Sequence, residues 1–205
     1  GYGSDLVIGG AGSDTLTVSD GNNVVLGDSG RIKAASTDAS QISLENGWFD
    51  FYGGWLAERG VQMTLGEIRT TAEGTGGTDT ITAGSGNDIL IGGTNNLDDV
   101  EGITAGEGRN LVFGDGGRID FTRADREGGA GADTDPTDID LMESSSTTEH
   151  GGKDLITSGS GSDVVIGGRF GDVIEAGAGN NVVIGDSGKI TAAATDAPQL
   201  TGILM

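Results

Sequence analysis

A nine-residue period constrains this chain more than any other feature. Steps of nine from Asp5 land on Asp14, Asn23 and Ile32, and each has a glycine two residues before it: Gly3, Gly12, Gly21 and Gly30. The register returns at Asp79 and Asp88 and, after a four-residue slip at 93–96, at Glu101, Asn110 and Ile119. It returns once more at Asp154, Asp163, Asp172, Asn181 and Ile190. A longer repeat overlies it, because residues 159–200 align without gaps onto residues 1–42, including GNNVV at 21–25 and 179–183. The unit is five nonapeptides followed by a spacer. This divides the chain into block 1 (1–36), an aromatic spacer (37–74), block 2 (75–123), an acidic spacer (124–149), block 3 (150–194) and the start of another spacer (195–205).

Each nonapeptide joins two halves that conflict. In GYGSDLVIGG, residues 1–10, the glycines weaken a strand because they pack nothing and lose much backbone freedom on folding, whereas Leu6 to Ile8 read as a strand that must be buried. Something other than a hydrophobic core has to hold the turn. Composition narrows what that is. Of 205 residues, 41 are glycine, far above the usual ~7%. The formal net charge is -21, from 32 acids against 11 bases, so a compact chain without counter-charge repels itself. With no cysteine there are neither disulfides nor thiolate metal sites, which leaves hard-cation chemistry through oxygen. Scattered Lys and Arg argue against nucleic acid and anionic membrane as partners, and no apolar run approaches the ~18 residues of a membrane span. The chain begins in mid-pattern and carries no signal-peptide pattern, so it reads as a segment of a longer protein.

The motif itself, G-x-G-x-D followed by an aliphatic run, as in GSGNDILIG at 84–92 and GSGSDVVIG at 159–167, resembles the calcium-binding nonapeptide of RTX (hemolysin-type) proteins. The resemblance spans about two thirds of the chain. It implies an all-β fold: a right-handed parallel β-roll, a calcium-stapled β-solenoid in which glycine-rich turns alternate with short strands on two sheets, with β-rich spacers inserted. It implies calcium as the cofactor, each ion lying between turns eighteen residues apart. The physics is consistent with this. Glycines bring backbone carbonyls close together, the Asp adds a charged oxygen, and a divalent ion bridging two turns cancels repulsion that otherwise opposes collapse.

Pairing slots eighteen apart gives Asp5 with Asn23, Asp154 with Asp172 and Asp163 with Asn181, and across the slip Asp88 with Asn110; Asp14 and Asp79 occupy the same slot in their own turns. Asn keeps an oxygen but loses a charge, so sites containing it are expected to be weaker. The fifth nonapeptide departs from the pattern as GDSGRI at 27–32, GDGGRI at 114–119 and GDSGKI at 185–190. Its carboxylate moves to Asp28, Asp115 or Asp186, which either still reach calcium or cap the turn by accepting local backbone N–H groups.

With Val7 facing inward, Leu6 and Ile8 face outward, and the same holds at Ile89 and Ile91, Leu111 and Phe113, Val164 and Ile166, and Val182 and Ile184. These strands, the second and fourth of each block, are apolar on both faces and should share one covered sheet. Odd-numbered strands present Thr15 and Thr17, Thr80 and Thr82, Gly102 and Thr104, or Val173 and Glu175, and should form a sheet facing water. Five strands per block then end on the polar sheet, which sends each spacer across the apolar one. The aromatic spacer (Trp48, Phe49, Phe51, Tyr52, Trp55) is expected to be a strand-forming lid, with a sugar-binding platform or a subunit contact as the alternatives. The acidic spacer is expected to be a lesser lid, and Asp133, Asp135, Asp138 and Asp140 a solvated loop rather than an EF-hand.

A single histidine, His150, no GxSxG elbow and no phosphate loop give no basis for catalysis or nucleotide binding. The expectation is a non-enzymatic calcium-binding structural segment of a secreted or cell-surface protein, an adhesin stalk, filament or surface layer exported by type I secretion. The alternatives are a carbohydrate-binding module and the repeat tail of an RTX enzyme or toxin. Expected partners are neighbouring repeats, with self-association through the apolar sheet or terminal coils and a glycan contact left open.

Overall fold

The structure is a computed structural model that describes residues 3–34, 65–72, 74–95, 98–128, 139–146 and 150–191. Block 1 forms β1 (Leu6–Ile8), β2 (Thr15–Thr17), β3 (Val24–Leu26) and β4 (Gly30–Ala34), and β5 (Leu65–Thr70) follows from the aromatic spacer. Block 2 forms β6 (Thr80–Thr82), β7 (Ile89–Gly93), β8 (Val100–Ala105), β9 (Leu111–Asp115) and β10 (Gly117–Asp120). A helical turn, α1 (Arg123–Glu127), leads to β11 (Leu141–Ser144) in the acidic spacer. Block 3 forms β12 (Lys153–Ser158), β13 (Val164–Ile166), β14 (Val173–Glu175), β15 (Val182–Ile184) and β16 (Lys189–Thr191). Apart from α1 the described residues are all-β, as expected.

These strands form three sheets. One is parallel, in the order β1-β3-β7-β9-β13-β15, and a second is parallel, in the order β14-β12-β8-β6-β2. Consecutive strands of a block alternate between the two, so their middle residues face each other. Val25, Ile81, Leu90, Ile103, Val112, Ile156 and Val165 make the thin core between the sheets, with Val7, Leu16 and Ile174 at its ends. The stack is continuous across the spacers: β3 pairs with β7 and β2 with β6 over the first, and β9 pairs with β13 and β8 with β12 over the second.

The third sheet is antiparallel, in the order β16-β11-β10-β5-β4, and it corrects one expectation. The fifth strand of each block does not join the polar sheet. β4, β10 and β16 leave the parallel stack and alternate with one strand from each spacer, β5 and β11. The cause is local. In GDSGRI and its relatives isoleucine replaces the slot carboxylate, and Ile32, Ile68, Ile119, Met142 and Ile190 pair across the sheet in one row. That row packs on the outward residues Val24, Leu26, Ile91, Leu111, Phe113, Val164 and Ile166 of the first sheet. The glycine before each isoleucine's neighbour permits the crossing, since a Cβ at Gly30, Gly117 or Gly188 would collide with Leu26, Phe113 or Ile184.

The middle of the first sheet is therefore buried on both faces, as its sequence required, while the end strands β1 and β15 are only partly covered, and both spacers contribute to the cover. Beyond the cover Glu67 receives Lys33 at 3.0 Å and Arg118 at 2.8 Å, and Arg118 also reaches Asp120 and Glu143. Burial works to raise the Glu67 pKa, but Lys33 and Arg118 outweigh it and hold the carboxyl below its usual range. The second sheet's outer face carries the expected threonines, yet Val100, Leu155 and Val173 are also exposed there. Trp48 to Trp55, Asp133, Asp135, Asp138 and residues 195–205 lie outside the described residues.

Candidate metal centre

Two columns of turns run along the edges of the stack. At one corner the chain passes from the second sheet to the first, and its slot residues are Asp5, Asn23, Asp88, Asn110, Asp163 and Asn181. At the other it passes from the first sheet to the second, through Asp14, Asp79, Glu101, Asp154 and Asp172.

The slot side chains build a ladder. Seven of them reach back to the turn before and accept the backbone N–H of that turn's slot residue through Oδ1. Asn23 accepts from Asp5 at 2.9 Å, Asp88 from Asn23 at 2.8 Å, Asn110 from Asp88 at 3.0 Å, Asp163 from Asn110 at 2.9 Å and Asn181 from Asp163 at 2.9 Å. On the opposite corner Asp79 accepts from Asp14 at 2.8 Å and Asp172 from Asp154 at 3.1 Å. All four slot pairs read from the sequence are therefore in contact, and Asp14 with Asp79, Asn23 with Asp88 and Asn110 with Asp163 join them across the spacers.

In Asp79, Asp88, Asp163 and Asp172 one carboxylate oxygen is thus used and the other is not. Asp14, Asp79, Asp88, Asp154, Asp163 and Asp172 each keep a buried Oδ2 with no hydrogen-bond partner, and both carboxylate oxygens of Glu101 are in the same position. An unpaired buried carboxylate oxygen is costly, and repetition in register points to a ligand. Close to these oxygens lie glycine carbonyls: a Cβ at Gly27 would strike both Asp79 Oδ2 and the Gly92 carbonyl, and one at Gly114 would strike Asp154 Oδ2 and the Gly167 carbonyl. Among the described residues no three His, Cys, Asp or Glu side chains converge as a ready-made metal cluster. The donor set is instead one carboxylate per turn with backbone carbonyls, which suits a hard cation with flexible oxygen coordination.

The electrostatics of the second corner point the same way. Burial, followed by repulsion from Asp28 and Asp14, pushes Asp79 up to about 6. Burial with repulsion from Asp115 and Asp172 pushes Asp154 up to about 9, and Asp172 rises to about 6. Glu101, fully buried between coils, is driven well above the carboxylate range by burial and by Asp154, Asp79, Asp28 and Asp115.

Glu101 was missed as a site residue although it falls on the nine-residue register after the slip. Asn95 was missed too, and no period signals it: it comes from the slip itself, where its Nδ2 donates to Asp154 Oδ1 and to the Lys153 carbonyl, both at 3.1 Å.

Two of the displaced carboxylates bind backbone N–H groups. Asp28 accepts N–H groups from Gly77 and Thr94, and Asp115 from Gly152 and Arg169. Both oxygens of each are occupied, tying the point where the chain leaves the stack to the point where it returns and to the next coil. These N–H groups are distant in sequence, not the local ones that the capping alternative expected. Burial raises both, Asp115 to about 7. Asp186 is exposed at the last turn.

Fold and corners together define a repeat protein whose turns present oxygen cages to a hard divalent cation. Its repeats match the family model described as the RTX calcium-binding nonapeptide repeat, in four copies over residues 1–31, 70–96 and 157–189. The chain carries RTX calcium-binding nonapeptide repeats, and the cation these repeats bind is calcium. No curated protein and no solved structure matches it.

Proposed function

We propose that the chain is a right-handed parallel β-roll whose job is mechanical: calcium bridges successive turns, folds the segment and makes it rigid outside the cell. The observation that carries this is the set of buried carboxylate oxygens left without partners along both corners, at every turn of one and at alternate turns of the other. Calcium supplies positive charge there, while the chain holds the carboxylates at one end through backbone N–H groups and leaves the other end free to ligate. Metal binding and folding are then one reaction. Extracellular modules bind calcium near ~0.1–1 mM, so the segment is ordered outside a cell and loose at cytosolic calcium during export.

A stalk, filament or surface-layer segment of a secreted or cell-surface protein, non-catalytic and continuous with neighbouring repeats, uses these properties directly. Continuous pairing across both spacers supports this reading, since a stack without breaks transmits load along its axis. The test is circular dichroism during a calcium titration of the chelator-treated chain. Coil should give way cooperatively to β-structure, and Asp163→Ala or Asp172→Ala should raise the calcium needed. A full β spectrum in chelator would overturn the reading.

A further inference from the structure

The corner that carries asparagines is not uniform. Its slot residues alternate, Asp5 and Asn23 in block 1, Asp88 and Asn110 in block 2, Asp163 and Asn181 in block 3. Two kinds of neighbour follow. Within a block Asp is followed by Asn, and at the joint between blocks, across a spacer, Asn is followed by Asp.

At the joints the asparagine amide already fills the place between turns. Asn23 Nδ2 donates to the Ser19 and Gly21 carbonyls of its own turn, both at 3.0 Å, and to Asp88 Oδ1 of the next block at 2.8 Å. Asn110 Nδ2 repeats this across the second spacer, donating to the Gly106 carbonyl at 3.1 Å and to Asp163 Oδ1 at 3.1 Å. The amide orientation is fixed, because Oδ1 of Asn23 and Asn110 is taken by the N–H of Asp5 and Asp88. Within blocks the equivalent atoms are Asp88 Oδ2 and Asp163 Oδ2, fully buried and unpartnered. An amide NH2 satisfies carbonyl and carboxylate lone pairs with hydrogens, and those hydrogens repel a cation from the same space.

Accepting that the turns bind calcium, we propose that the block joints along this corner are closed by the Asn23 and Asn110 amides and take no ion, whereas the within-block positions headed by Asp88 and Asp163 take calcium. By sequence every Asn is a weakened ligand; those at the joints instead play a different part, a hydrogen-bonded stand-in for the ion where the stack must be rejoined after a long excursion.

The experiment is calcium titration calorimetry on the full chain and on Asn23→Asp and Asn110→Asp. Each substitution replaces the donor amide by an unpaired oxygen and should add one bound calcium, with folding of the variant needing more calcium than the parent. A folded variant with unchanged stoichiometry overturns the proposal. In the unmutated, calcium-loaded chain, the side-chain NH2 protons of Asn23 and Asn110 should exchange slowly with water. Fast exchange there would also overturn it, whether or not the variants fold. A parent chain that binds no calcium at all defeats the calcium reading instead.

Discussion

At the scale of single residues, Glu101 shows why these corners need a cation. It is buried between Asp79 and Asp154 in one column, and burial together with four aspartates drives its pKa far up. Glu101→Gln removes a charge that otherwise needs a cation or a proton to balance it. The variant should hold more β-structure than the parent in chelator and bind calcium about tenfold more weakly, read by circular dichroism and calorimetry. Protons offer the same relief. The raised carboxyls bind protons more tightly folded than unfolded, so their contribution is present below the unfolded range near ~4 and lost as pH rises through the folded values. The losses come at about 6 for Asp79 and Asp172, about 7 for Asp115 and about 9 for Asp154. In chelator the chain should therefore keep more structure at about pH 5 than at about pH 8. Calcium should reverse that order while releasing protons on binding, seen as a buffer-dependent heat.

Among the elements, the antiparallel cover decides whether the first parallel sheet is stable in water. Its isoleucine row meets residues that nothing else shields, with Ile68 and Ile119 fully buried. Ile68→Ala should cost about 2 to 4 kcal/mol in a denaturant titration of the calcium-loaded chain, without altering the number of ions bound. Gly117→Leu should be worse, because any side chain there is driven into the Phe113 ring. The cover rather than the corners should fail in that variant, seen as dye binding to an exposed apolar face while the corner carboxylates still take calcium. The ion pairs behind the cover join the buried acids Glu67 and Asp120 to the more exposed cations Lys33 and Arg118.

For the whole molecule, continuity of the two parallel sheets makes the blocks interdependent. Each coil contacts the next, and stability in such a stack spreads through neighbour interfaces. Asp172→Ala, placed in block 3, should shift the calcium midpoint of block 1 as well. Hydrogen exchange at β3 and at β13 should then follow one transition; separate transitions would show that the spacers divide the stack.

The nine-residue period was enough to name the slot residues and to divide the strands into a doubly apolar set and a polar-faced set, whereas pairing the slots eighteen apart came from the resemblance to RTX repeats. All four slot pairs are in contact. The fate of the fifth nonapeptide was not legible, because GDSGRI reads as a degraded repeat until the strand from each spacer is seen paired beside it. Asp28 and Asp115 likewise look like misplaced ligands, and only the return of the chain many residues later supplies their N–H partners. The two corners also differ in a way no local pattern shows. Which acids gather around Glu101, and where an asparagine amide stands in for an ion, depend on which turns the long excursions bring into contact.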